Sequence, residues 1–240
     1  MSAFVLFFGG WRATPADMQA WKGSAKAQRK DVDFDAIPWP SGAAPGASSA
    51  VSTFKEKKTG GYKSVIDDIH AMQYANAQSS NVRKIYIVGH SSGCAIANAV
   101  DEGLTDHTDV VLVALDGFAP NPTQLARPDT QVWVARASWF NFLSISTTCI
   151  PQKGKQVDDI CISKNYTDMK NHPPLKKYGG SRLKVHYAAS NCTNPWALHF
   201  SLVNCAANDT TVKFTQKMTA EQIVAQGYTP CIANLIWLRP

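Results

Sequence analysis

Two glycines bracket two adjacent serines in the stretch Gly89-His90-Ser91-Ser92-Gly93. A serine hydroxyl can attack a carbonyl carbon once a neighbouring base takes its proton. The spacing decides which serine suits that chemistry. Small residues two before and two after a serine let the backbone fold sharply between a strand and a helix, so that the hydroxyl points outward. Only Ser91 has glycine at both places; around Ser92 those positions hold His90 and Cys94. With Gly and Ser each at about 7% of residues, roughly one chain in ten of this length contains the pattern by accident. Its flanks therefore carry the argument. "KIYIV" before it reads as a strand, and "CAIANAV" after it as a helix of small residues. A helix beginning near Ser92 brings its positive dipole end and free N–H groups beside the reacting atoms. Ser91 is the expected nucleophile. Cys94, one turn into the helix, is expected to pack rather than react.

An activated serine needs a histidine base and an acid that holds the imidazole in the right tautomer. After Ser91 the chain offers His107, His172, His186 and His199. His107 precedes a strand and so falls at the wrong edge of a sheet. His186 lies within a strand and is expected to pack. His172 stands before Pro173-Pro174 in an irregular stretch, and His199 lies in a loop beyond the last clear strand. His70, earlier in the chain, sits beside the apolar stripe of a helix and reads as structural or surface. Among acids, Asp116 directly follows the apolar run Val110–Leu115. Asp158 or Asp159 would serve if the later loop folds back, and Asp116 before Gly117 also suits a plain turn.

These residues need elements that bring them to one edge. Ala3–Phe8 is a continuous apolar run, as in a strand covered on both faces. Thr14, Pro15 and Asp17 form a helix start, with Thr14 as N-cap, and Trp21 is expected on that helix's buried side. Residues 31–38 alternate Val32, Phe34 and Ala36 inward as a strand. Residues 40–52, rich in Pro, Gly and Ser, read as a surface loop. Residues 62–78 place Val65, Ile66, Ile69 and Met72 at helical spacing. A strand over 82–88, a helix over 92–104, and strands over Val110–Leu115, 132–135 and 183–188 follow. Residues 138–182 are irregular. Strands alternating with helices, several of them uninterrupted apolar runs, indicate one α/β domain over residues 1–240 with a mainly parallel sheet. Ligands of such sheets bind at the carboxyl ends of the strands.

Bulk properties narrow the function. At 240 residues, 45% hydrophobic and 18% charged, the chain suits one globular domain and not a disordered or fibrous one. Its net charge of +6 is spread out, and the densest cluster, Lys55-Glu56-Lys57-Lys58, contains its own acid and is read as a polar loop. Nucleic acid is therefore not an expected partner. No apolar run is long enough for a membrane span. The N-terminal "MSAFVLFFGGW" lacks a basic flank and reads as a first strand, not a signal peptide, so the expected compartment is the cytoplasm. Of the six cysteines, none forms a C-x-x-C pair, and neither metal nor cofactor is expected. Cys149/Cys161 and Cys192/Cys205 each flank a short loop. If the protein is oxidised, these pair first and the protein is secreted or periplasmic; the other reading is six reduced thiols in the cytosol.

"IYIVGHSSGCAIANAV" resembles the nucleophile elbow of the α/β-hydrolase superfamily. "VLFFGGWRATPADMQAW" resembles the segment after that family's third strand, although Phe8 or Gly9 replaces its common histidine. "VVLVALDGFAP" and "WALHFSLV" resemble the acid and histidine segments of thioesterase-like and lipase-like members. The resemblance implies a single α/β-hydrolase domain and the triad order serine, acid, histidine, hence Ser91, Asp116 and His199. Most members place the acid one strand later, where "RASWFNF" holds no carboxylate; some thioesterase-like and lipase-like members use the earlier strand, as Asp116 would. The implied oxyanion donors are backbone N–H groups of Ser92 and of Trp11 or Gly10. Arg12 is expected at the surface, within reach of an acidic substrate group. Residues 117–131 are too few for a large lid. The insertion at 138–182 opens with Trp139, Phe140 and Phe142, which would contact an apolar acyl or aromatic group if they line the mouth. The expected activity is hydrolysis of a small-molecule carboxylic ester or thioester. The alternatives are an acyltransferase or macrocyclising enzyme with the same triad, or a noncatalytic binding protein on the scaffold.

Overall fold

The structure, a computed structural model, describes residues 3–40, 47–115, 131–137, 184–190 and 203. Six strands and four helices occur in the order β1 (Ala3–Phe8), α1 (Pro15–Gln28), β2 (Val32–Ile37), α2 (Ala47–Glu56), α3 (Tyr62–Ala77), β3 (Lys84–His90), α4 (Gly93–Glu102), β4 (Val110–Leu115), β5 (Gln131–Ala137) and β6 (Lys184–Ser190) among these residues. The strands form one sheet in the order β2-β1-β3-β4-β5-β6, and all five pairings are parallel. The β1 run and residues 85–88 of β3 are apolar because helices cover both faces of the sheet.

The strand order reverses between β1 and β3. From β1 the chain steps outward to β2; from β3 onward every later strand adds on the other side. Right-handed crossovers then place the helices of the two halves on opposite faces. The packing agrees. On one face, Met18, Trp21 and Ala25 of α1 pack with Val5, Phe7, Tyr86 and Val88. On the other, Phe54 of α2, Val65 and Ile69 of α3 and Ile96 and Val100 of α4 pack with Leu6, Phe8, Ile85 and Ile87. Alternate residues of β1 and β3 thus feed two separate cores. The carboxyl ends of β1 and β3, where the strand order reverses, are the general ligand position in such sheets.

Local signals explain most elements. Thr14 accepts a hydrogen bond from the Asp17 N–H, and Asp17 returns one from the Thr14 N–H at 2.8 Å, closing a capping box ahead of Pro15. Trp21 is fully buried, stacked on Phe7 at 4.2 Å and edge-on to Phe34. Residues 40–52, expected as a loop, are in part helical: α2 begins at Ala47 and includes Lys55 and Glu56. Ala50 and Phe54, four apart, are buried against the second core. Tertiary packing there overrides a Ser- and Ala-rich sequence of weak pattern. The expectations for residues 116–130 and 138–183 lie outside the described residues.

Candidate active site

The parallel register sets the site before any side chain is considered. Phe8 pairs with Gly89 across β1 and β3, and His90 pairs with Leu115 across β3 and β4. Continuing both strands by two residues brings Gly10 opposite Ser91. The Ser91 N–H extends the β3–β4 ladder by one bond, donating to the Leu115 carbonyl at 3.0 Å. There the chain turns. Ser91 has φ +54°, in the left-handed region that a residue with a Cβ rarely adopts. The Ser91 carbonyl then accepts from the Cys94 N–H at 3.1 Å, and the Ser92 carbonyl from the Ala95 N–H, opening α4.

Both motif glycines are required by space. A Cβ on Gly89 would lie 2.5 Å from the Cys94 Cα, and one on Gly93 would lie 2.4 Å from the Phe8 carbonyl oxygen. The first keeps the turn sharp; the second lets α4 start against the end of β1. Gly93→Ala therefore forces backbone apart and should cost about 2–3 kcal/mol, the scale of overpacking. For a chain of this size that is a fall of roughly 5–10 °C in Tm, read by calorimetry.

The loop after β1 closes over the turn. A Cβ on Gly10 would come within 2.8 Å of the Ser91 Cβ and 3.4 Å of its Oγ. Only a glycine lets this backbone approach the serine so closely. The Trp11 N–H donates to the Ser92 Oγ at 2.6 Å, across 81 residues of sequence. Ser92 is completely buried, while Ser91 is half-buried. The adjacent serines thus divide the work: Ser92 faces inward and ties the loop to the helix, and Ser91 is left half-buried at the turn. The Trp11 N–H, expected as an open donor, is held by Ser92. Among the described residues the N–H groups of Gly10 and Ser92 have no hydrogen-bond partner, and α4 carries no side-chain cap. The Ser92 clamp could not be read from the pattern; the doubled serine was its only trace.

Cys94 is buried and its thiol donates to the Gly89 carbonyl at 3.1 Å, a packing role as expected. His107 lies ahead of β4, its Nε2 3.0 Å from the Asp101 carbonyl, at the opposite end of the sheet from Ser91. His70 is exposed on α3, and His186 lies within β6. Among the described residues, Ser91, Ser92, Gly10 and Trp11 come together. Asp116, His199, Asp158, Asp159, His172, Trp139, Phe140 and Phe142 lie outside them, as do the cysteines other than Cys94. Val203, four residues after His199, is buried in the core that also holds Val88 and Leu115. Among the described residues no group of three His, Cys, Asp or Glu side chains could hold a metal ion, and no helix is long and apolar enough to cross a membrane.

No family model and no curated protein matches the chain. Solved structures similar to it include an acetylxylan esterase at 13% identity, covering 83% of this chain and 90% of that one with a TM-score of 0.35. A predicted CIB-like hydrolase from Thermoplasma acidophilum is also 13% identical, with 80% and 79% covered and a TM-score of 0.36. A cutinase-like protein from Cryptococcus sp. is 11% identical, with 92% and 90% covered and a TM-score of 0.33. The chain's own strand order, register and turn show a doubly wound α/β fold: a parallel sheet between helix layers, with a strained serine where the strand order reverses.

Proposed function

We propose that the chain is a serine hydrolase that cleaves a small-molecule carboxylic ester or thioester through an acyl-enzyme. The observation that carries this reading is Ser91, held at φ +54° at the carboxyl end of β3 with the Gly10 backbone packed against it. A non-glycine residue in that conformation costs on the order of 1–3 kcal/mol, and such strain collects where function holds it.

In this mechanism His199 takes the Ser91 proton as Oγ bonds to the substrate carbonyl carbon. The N–H groups of Ser92 and Gly10 receive the developing oxyanion; the Trp11 N–H, through Ser92 Oγ, fixes the loop that presents Gly10. The C–O or C–S bond then breaks, and His199 protonates the departing alcohol or thiol. Water, deprotonated by the same histidine, attacks the acyl-Ser91 carbon and regenerates the serine. Asp116 holds His199 in the required tautomer. Two features support these partners: Asp116 is covalently next to Leu115, whose carbonyl binds the Ser91 N–H, and Val203 anchors the chain just beyond His199 in the core.

Hydrolysis of p-nitrophenyl butyrate tests the reading. The expected result is saturable release of p-nitrophenol, with kcat/KM rising through the histidine range near pH ~6.5 as the base loses its proton. A folded protein that releases none, neither as a burst nor at steady state, overturns it.

A further inference from the structure

Arg12 stands two residues beyond the glycine that touches Ser91, in the left-handed region at φ +70°. It is exposed, yet it does not run free into solvent: its guanidinium lies over the Trp11 indole, 4.4 Å from the ring centroid. Trp11 is itself one of the few large apolar side chains left open among the described residues. A strained backbone and a stacked side chain together hold one positive charge two residues along the chain from the Gly10 that packs against Ser91.

Five other described cations meet carboxylates, while Lys30, Lys57, Lys58 and Lys63 have no carboxylate partner among the described residues and Lys55 lies over the Tyr62 ring. Lys22 meets Asp35 at 3.0 Å, Lys26 meets Asp33 at 2.9 Å, Arg29 meets Asp31 at 2.5 Å, Arg83 meets Asp33 at 2.5 Å and Lys84 meets Asp109 at 2.7 Å. Those pairs lie along the β2 edge and at the amino ends of the strands, away from Ser91. Arg12 has no carboxylate among the described residues. Stacking on an indole leaves the N–H edge of a guanidinium open, and that edge matches a carboxylate in two parallel hydrogen bonds.

We infer that Arg12 is a substrate-binding residue, and that the preferred substrate is an ester or thioester carrying a carboxylate on its acyl chain. The inference rests on the hydrolase reading for the reaction but not for the binding. The Arg12 guanidinium takes the carboxylate, the Trp11 edge lines the intervening methylenes, and the scissile carbonyl reaches Ser91.

The test compares mono-4-nitrophenyl adipate, which ends in a carboxylate, with 4-nitrophenyl hexanoate, its neutral counterpart of equal chain length. The parent protein should show a higher kcat/KM for the charged ester. Arg12→Gln should lower the ratio of the two kcat/KM values about tenfold, the scale of one charge-assisted hydrogen bond at a solvent-open site. Raising NaCl to about 1 M should shrink the parent's ratio in the same direction. A purely structural role would lower both values together and leave the ratio intact, which overturns the inference. Calorimetric titration of the Ser91→Ala variant with both esters separates the two claims. If the parent turns over neither ester, the hydrolase reading falls. Tighter binding of the adipate ester, lost in the Arg12→Gln double variant, would then still establish the carboxylate site. Equal binding of the two esters removes it.

Discussion

Replacing Ser91 by alanine should lower kcat for p-nitrophenyl butyrate by at least ~10⁴-fold, toward the ~10⁶-fold seen when a triad nucleophile is lost. The reason is chemical: without Oγ no acyl-enzyme forms, and the remaining donors can only assist attack by water. Folding should survive, because the side chain sits half-buried at the edge of the sheet and its loss opens no core cavity. A second substitution separates chemistry from stability. Ser91→Gly also removes the hydroxyl, but it relieves the +54° strain. It should be equally inactive and about 1 kcal/mol more stable than the alanine variant, since only glycine occupies that region without cost. Parallel loss of activity with a higher Tm in Ser91→Gly than in Ser91→Ala is the expected pair of readings. Equal activity in Ser91→Ala and the parent would remove the nucleophile.

The second large effect belongs to the acid. Asp116→Asn should leave KM near the parent value and lower kcat by about 10⁴-fold, because an amide stabilises the wrong imidazole tautomer and cannot support the imidazolium. The competing assignment lies in the later loop, so Asp158→Asn and Asp159→Asn form the control. Full activity in those two with loss at Asp116 supports the assignment. The reverse pattern moves the acid to that loop and leaves Ser91 as nucleophile. His199→Ala should cost about as much as Ser91→Ala, since base and nucleophile act as a unit.

How far these sites could be read in advance depended on the range of the interaction that makes them. The boundaries of β4, Val110–Leu115, are legible because a continuous apolar run needs a sheet covered on both sides. The capping box at Thr14 and Asp17 is legible because both partners lie within one turn. Ser91 could be singled out because steric demand fixes glycines at 89 and 93, and the contacts of Gly93 with Phe8 and Gly9 show what they make room for. Contacts over long separations left less trace. The hydrogen bond from Trp11 to Ser92 spans 81 residues, and neither end has a pattern that names the other. It changes the site's chemistry, because it spends the N–H that the local sequence offered as a donor and leaves Gly10 in its place. Helix α2 escaped for a related reason: Ala and Ser give little periodic signal, and only packing of Ala50 and Phe54 on the second core makes that segment helical. The left-handed Arg12 carries no sequence mark either, since arginine has no preference for that conformation.

Catalysis by this route turns on one atom, the Ser91 Oγ, and a fluorophosphonate tests it directly. The reagent phosphonylates an activated serine whatever ester the enzyme prefers. Mass spectrometry of the digested adduct should place a single phosphonyl group on Ser91, in the parent and in Ser92→Ala alike, with none on Ser91→Ala. Heat-denatured protein should take up none, because the activation depends on the folded turn and its base. Labelling at Ser92, or no labelling of protein that still melts cooperatively, would contradict the assignment of Ser91 as the nucleophile.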